Sequence, residues 1–280
     1  MKKSRMIGIV ILIVVTIWLL WGNKALEQTF YTISSEKLPA QFDGFRIVHI
    51  SDLHNTEFGR DNKKLLTMIA DAKPDMIALT GDLIDSRRTN LQVALEFAKA
   101  AMEIAPCYYV PGNHESRSDL YPALQLRLQE MGVIVLEDDR LALELQGEKI
   151  EVVGALDPSF SAAVLKDGKT AENGEKLNQL LGDADYAILL SHRPELFDSY
   201  VQSGVDLVLT GHAHGGQMRL PILGGVLVPN QGWFAEYDEG LHVQNSTHMI
   251  ISRGLGNSLF PLRINNRPEV ITIELNCISN

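Results

Sequence analysis

Cysteine is nearly absent, with two in 280 residues, Cys107 and Cys277, and no CxxC spacing. That scarcity excludes a disulfide scaffold and speaks against a structural zinc site built from thiolates; the two cysteines are expected to stay unpaired. Basic residues are short as well, 25 Lys and Arg against 35 Asp and Glu, for a formal net charge of −10. Phosphate backbones need a basic surface, so this balance argues against a general nucleic-acid binder. Small phosphate substrates stay open, because bound divalent cations reverse the local field. The chain has no internal repeat and no long low-complexity segment. Its hydrophobic (45%) and charged (21%) fractions are those of a globular protein, and its length allows one large domain or two small ones.

What is present begins with one apolar run. After "MKKSR" comes "MIGIVILIVVTIWLLW", Met6 to Trp21, and the next charged residue is Lys24. About 20 apolar residues span a bilayer as a helix, and Trp18 and Trp21 would sit at its far interface. An uncleaved anchor over residues 1–22 is therefore expected. A cleaved signal is the rival, but "WGNKALEQ" offers no A-x-A site, and a core helix would carry polar residues on one face. Lys2, Lys3 and Arg5 favour an N-terminus inside the cell, which puts the rest of the chain outside the cytoplasm. Residues 23–44 are mixed and turn-rich and read as a tether; the domain is expected over 45–280.

From Phe45 short apolar runs alternate with helical patterns. "FRIVHI", "DMIALT", "CYYV", "EKIEVVGAL", "YAILLSH" and "VDLVLTGH" read as strands. "NKKLLTMIADA", "LQVALEFAKAAMEI" and the stretch 195–203 read as helices. This rhythm predicts an α/β domain with a largely parallel sheet and a strand-rich tail ("GVLVPN", "HMIISRG", "EVITIEL").

Five of these strands end in residue types that bind metal. "FRIVHISDLH" ends in Asp52 and His54, which share one side of the chain at i and i+2. "DMIALTGD" ends in Asp82, "CYYVPGNHE" in Asn113 and His114, "YAILLSH" in His192, and "VDLVLTGHAH" in His212 and His214. Each singly is an ordinary cap or turn residue. Together, at the carboxyl ends where α/β sheets collect ligands, they serve one purpose. Oxygen and imidazole donors suit Mn²⁺, Fe or Zn²⁺, and a pair of ions roughly 3.5–4 Å apart needs a shared carboxylate. Asp82, preceded by a glycine that allows close backbone approach, is the candidate bridge.

The series D-x-H, G-D, G-N-H-E, a lone H and G-H-x-H resembles the calcineurin-like metallophosphoesterases over roughly residues 45–275, and "HGGQ" resembles a membrane-associated bacterial branch. The resemblance implies a central β-sandwich flanked by helices. It implies a first metal held by Asp52, His54, Asp82 and His214, and a second held by Asp82, Asn113, His192 and His212. His114 would face the substrate phosphate as the catalytic residue. The implied reaction is hydrolysis of phosphodiester or pyrophosphate bonds by in-line attack of a metal-bridging hydroxide.

Lesser expectations follow. Glu115 is expected to orient His114 by a hydrogen bond. Asp157, Gln217 and Arg253 are weaker site candidates, and His49, His242 and His248 are read as structural. Trp233 and Phe234 are read first as packed, with a lid over a leaving group or contact with lipid as the other readings. After Gly81-Asp82 the chain reads "LIDSRR" where the Ser/Thr protein phosphatases have "xxDRG", which argues against a phosphoprotein substrate. The expected partners are a phosphorylated small-molecule or lipid-linked substrate and the membrane, without nucleic acid. A lipid pyrophosphatase of the UDP-2,3-diacylglucosamine type is one alternative. A non-catalytic metal-binding scaffold, as in the retromer subunit of this fold, is another, though such scaffolds are expected to have lost a ligand.

Overall fold

The computed structural model describes residues 2–161, 174–257 and 260–278. Of the domain expected over 45–280, residues 162–173, 258–259 and 279–280 lie outside that description. The apolar run forms helix α1 (Lys2–Gly22), and none of its Arg5–Gly22 window is buried against the rest of the chain. At 1.5 Å per residue it is about 30 Å long, the thickness of a bilayer's hydrocarbon core.

The segment read as a tether is not one. It contains β1 (Glu27–Ser35), an edge strand of the first sheet. Its signal is weak because Ile33 is its only fully buried residue, so no apolar alternation marks it. After it come β2 (Arg46–Ile50), α2 (Lys63–Asp71), β3 (Met76–Thr80), α3 (Leu91–Met102), β4 (Cys107–Val110), the single turn α4 (Asn113–Ser116), α5 (Tyr121–Glu130) and β5 (Ile134–Val135). The chain continues with β6 (Asp139–Leu145), β7 (Glu148–Gly154), α6 (Gly174–Leu180), β8 (Ala187–Leu190), α7 (Phe197–Ser203) and β9 (Leu207–Thr210). Two small ribbons, β10 (Arg219–Leu220) with β11 (Gly224–Gly225) and β12 (Leu227–Val228) with β13 (Gly232–Trp233), interrupt it. Strands β14 (Gly240–Gln244), β15 (Thr247–Ile251) and β16 (Glu269–Cys277) close the chain.

The strands divide between two six-stranded sheets, ordered β1-β16-β2-β3-β4-β5 and β14-β15-β9-β8-β7-β6. Each has a parallel centre; β16 runs antiparallel to β2, and β6 and β14 run antiparallel to their neighbours. Alternation sets the layers. In β3, Met76 and Ala78 point between the sheets and join Ile47, Val152, Ile188, Leu209 and Ile250, while Ile77 and Leu79 point outward under the helices. Helix α3 covers that outer face with Ala94, Phe97, Ala98 and Ala101, spaced i, i+3, i+4, i+7, and begins where the Asn90 side chain accepts from Gln92 N (3.1 Å). On the other sheet α7 buries Phe197 and Tyr200 and stops at Gly204 in the left-handed region. The result is the α/β sandwich the resemblance implies, rather than one parallel sheet.

Cys107 and Cys277 are both free thiols. His49 is buried beside Thr80 Oγ1 (2.8 Å), and burial pulls its pKa down to about 3, which suits a structural residue.

The segment from the edge strand to Phe42 carries stability. Ile33, Leu38 and Phe42 are buried, and burying such side chains is worth roughly 1.5–3 kcal/mol each. A chain beginning at residue 45 is expected to lose about 5 kcal/mol against one beginning at residue 24, a large part of ordinary domain stability. Denaturant unfolding of the two chains measures it; equal midpoints would return the segment to a tether.

Candidate metal centre

The five strand ends converge where the two sheets meet. Asp52, His54, Asp82, His212 and His214 all hold positive φ (45° to 64°), a region L-residues rarely occupy. Such strain persists where surrounding structure imposes it and clusters at functional sites. Two glycines allow the approach. A Cβ on Gly81 would stand 2.7 Å from both Gly112 N and His192 Nδ1, and one on Gly112 would collide with the Asp82 carboxylate.

The donor atoms face one another. His54 Nε2 lies 3.7 Å from Asp52 Oδ1, 3.6 Å from Asp82 Oδ2 and 3.2 Å from His214 Nε2. His214 Nε2 is 3.3 Å from Asp52 Oδ1, and His192 Nε2 is 3.3 Å from Asp82 Oδ2 and 3.9 Å from Asp52 Oδ1. The far side of each group is fixed by the chain. Asp52 Oδ2 accepts from Ser51 Oγ (2.6 Å) and His212 N (3.1 Å), Asp82 Oδ1 accepts from His114 N (2.8 Å), and His192 Nδ1 donates to Thr80 O (2.7 Å). His192 Nε2 therefore presents a lone pair inward when the ring is neutral.

Two ligand clusters result, Asp52–His54–His214 and Asp82–His192–His212; they share no residue, and in each the donor atoms lie within 4.8 Å of one another. Asn113 sits between Gly112 and His114, both of which abut Asp82. Asp52 Oδ1, Asn113 Oδ1 and His192 Nε2 are buried without a hydrogen-bond partner, which buried polar atoms seldom are. This donor set fits a pair of divalent cations.

The electrostatics agree. Burial pushes both carboxyls up, but the His214, His54 and His192 imidazoles outweigh it at Asp52, and the His192, His54 and His114 imidazoles at Asp82, so both stay well below the usual range. Burial pulls His192 down, yet the Asp82 and Asp52 carboxylates raise it to about 10. Two buried anions thus draw positive charge into the pocket, as protons or as metal.

A third cluster joins His54, Asp82 and His114. His114 differs in its wiring, because the Ser86 backbone N–H donates to its Nδ1 (3.1 Å) and the neutral ring must carry its proton on Nε2. A nitrogen that holds a proton is a donor and not a metal ligand.

Glu115 does not orient His114. Its carboxylate accepts from Asp82 N (2.8 Å), Gly112 N (2.8 Å) and Ile84 N (3.2 Å), tying the two loops together, while Ser86 and Asp85 hold the His114 ring. Arg253 points away from the site to Glu27, Glu239 and Glu269. Asp157 enters through a partner, as its carboxylate grips buried Arg193 in a two-point ion pair (2.5 and 3.0 Å), and Arg193 Nη1 lies 2.8 Å from His212 Nε2. A cation bound through His212 Nε2 would replace that contact; one bound through Nδ1 would put the ring proton against the guanidinium. Arg263, fully buried, brings Nη2 to 3.5 Å from His214 Nδ1. Arg193 directly follows His192 in "SHRPE", a signal that was available; Arg263 lies 49 residues beyond His214 and carries none. Trp233 and Phe234 are not packed, and Trp233 is 70% exposed.

Fold and donor set together are those of a metallophosphoesterase and are compatible with a dinuclear metal site. Residues 45–216 match the family model described as calcineurin-like phosphoesterase, and the chain belongs to that family. Among its relatives, metallophosphoesterase YkuE of Bacillus subtilis is 32% identical over 257 residues, covering 89% of this chain and 85% of its own. Phosphodiesterase YaeI of Escherichia coli is 30% identical over 241 residues, 82% of each. A transmembrane protein with metallophosphoesterase domain from Danio rerio is 29% identical over 87% of this chain and 56% of its own. The sulfate thiohydrolase SoxB of Thermus thermophilus superposes with a TM-score of 0.53 at 14% identity, covering 85% of this chain and 57% of its own, a likeness of fold.

Proposed function

We propose that the chain is a metal-dependent phosphoesterase that hydrolyses phosphodiester or pyrophosphate bonds. The observation that carries this is the placing of Asp52 and Asp82, two buried carboxylates ringed by imidazole nitrogens, in two clusters that His54 links by facing both. Asp52, His54, Asp82 and His214 would hold one ion, and Asp82, Asn113, His192 and His212 the other, with Mn²⁺, Fe or Zn²⁺ suited to these donors. When bound, the cations supply Lewis-acid polarisation of the phosphoryl group and a nucleophile at neutral pH. The chain's own residues do the rest. Ser86 fixes the His114 tautomer so that Nε2–H is offered as a donor to a phosphoryl or leaving oxygen. Glu115 holds the Asp82 and Gly112 loops in register, so the donors stay in place as charge develops. Diester specificity is favoured by the likeness to YaeI, a phosphodiesterase.

The test uses the full chain in detergent with added Mn²⁺, offered bis-p-nitrophenyl phosphate and p-nitrophenyl phosphate. Turnover of the diester above the monoester is expected. Bound metal with no turnover of either substrate would give the site to a scaffold.

We place the protein in the cell membrane through α1, as a single-pass anchor with the domain outside the cytoplasm, because Lys2, Lys3 and Arg5 precede the helix. A reporter fused to the C-terminus should be active only outside the cytoplasm; cytoplasmic activity alone would reverse the orientation.

A further inference from the structure

Beside the metal centre lies an apolar cavity of about 320 Å³, walled by His214, Gln217, Met218, Leu227, Val228 and Phe260. Among the described residues no Asp, Glu, Lys or Arg lines it, and its polar side chains are His214, Gln217 and Asn230. The excursion that builds it, β10 to β13, leaves Ile222 fully exposed, Trp233 70% and Leu223 61% exposed, and Leu227 and Phe260 partly so. Of these, Leu227 and Trp233 are paired across one ribbon, and exposed apolar residues that group together mark a membrane or ligand surface.

The same excursion is tied to the end of α1. Gln217 Nε2 donates to Asn257 Oδ1 (3.2 Å) and Phe260 O (2.9 Å), and Asn257 Nδ2 donates to Asn23 Oδ1 (3.0 Å). Asn23 Oδ1 also accepts from Arg263 N (2.9 Å), and Arg219 N donates to Ile264 O (2.9 Å). Arg267 lies over the Trp21 ring at 5.0 Å. The cavity wall is therefore two side chains away from the residue that ends the membrane-length helix. The cavity therefore lies beside the end of α1, where a bilayer holding that helix would end.

We propose that this cavity takes the alkyl tail of a phosphoester lipid drawn from the bilayer that holds α1, with the phosphoester at the His214 end beside the metal ligands. The substrate is then a membrane lipid and not a free nucleotide or sugar phosphate, an inference that rests on the phosphoesterase reading above. Burying one methylene strengthens binding about fourfold, so even a short seated stretch dominates selection.

The test compares two diesters that share a leaving group, p-nitrophenyl hexadecyl phosphate and p-nitrophenyl ethyl phosphate, on the full chain in mixed micelles with Mn²⁺. The readout is the ratio of their kcat/KM values. A ratio of at least 100 is expected, falling at least tenfold in Leu227→Asp and in Phe260→Asp, both at exposed positions that leave folding intact. A second measurement needs no catalysis: fluorescent hexadecyl phosphate, with chelator present, should bind saturably and lose that binding in both variants. A ratio near one, or variants that keep ratio and binding, overturns the proposal. Dimerisation of the full chain without alkyl binding also overturns it and assigns the rim to a second copy. No turnover of either diester, with saturable binding lost in the variants, sinks the phosphoesterase reading and leaves the tail site standing.

Discussion

Replacing Asp82 with asparagine is expected to drop bound metal from about two ions per chain to fewer than one, and turnover by at least about 10³-fold, equivalent to about 4 kcal/mol of barrier. Asp82 stands in two of the three ligand clusters, 3.6 Å from His54 and 3.3 Å from His192, and is almost fully buried. Asparagine keeps the volume and the oxygen that accepts from His114 N, but it removes the charge and can aim amide hydrogens where lone pairs converge. His192, raised by that carboxylate, would lose the partner that favours its charged form. Elemental analysis with a diester assay reads both effects, and a melting curve shows whether the variant folds. Two retained ions with near-native turnover would remove Asp82 as a bridge.

His114→Asn separates chemistry from metal. The variant should keep its full metal content while kcat falls by about 10²–10⁴, the range of general acid help. The asparagine oxygen can still accept from Ser86 N–H, so the loop is preserved and only the donor facing the site is shortened. A fall in metal content would place His114 among the ligands with His54 and Asp82, as the third cluster allows. Unchanged turnover would take it out of the mechanism.

These residues are legible in the sequence because each sits two to four positions beyond an apolar strand, where side-chain chemistry is unconstrained by the core. Asp52, His54, Asp82, His192, His212 and His214, which lie beyond separate strands, are brought together in buried clusters of possible metal ligands. Errors came where a role depends on a partner. Glu115 adjoins His114 in sequence, yet its carboxylate turns to the backbone of residues 82, 84 and 112. Trp233 and Phe234 look like core residues by type, and only the ribbons around them reveal exposure.

By itself the sequence determined the strand and helix rhythm of the domain, a membrane-length apolar helix and the kinds of donor at the strand ends, since periodicity and residue chemistry are local properties. Tertiary structure alone decided that β2–β4 and β8–β9 lie in different sheets, that β1 completes one of them, and that Arg193, Arg263 and the α1 junction flank the site. The reason is physical. An apolar run shows that a strand is buried but not which sheet it pairs with, and pairing over more than 200 residues, as between β1 and β16, leaves no trace in local pattern.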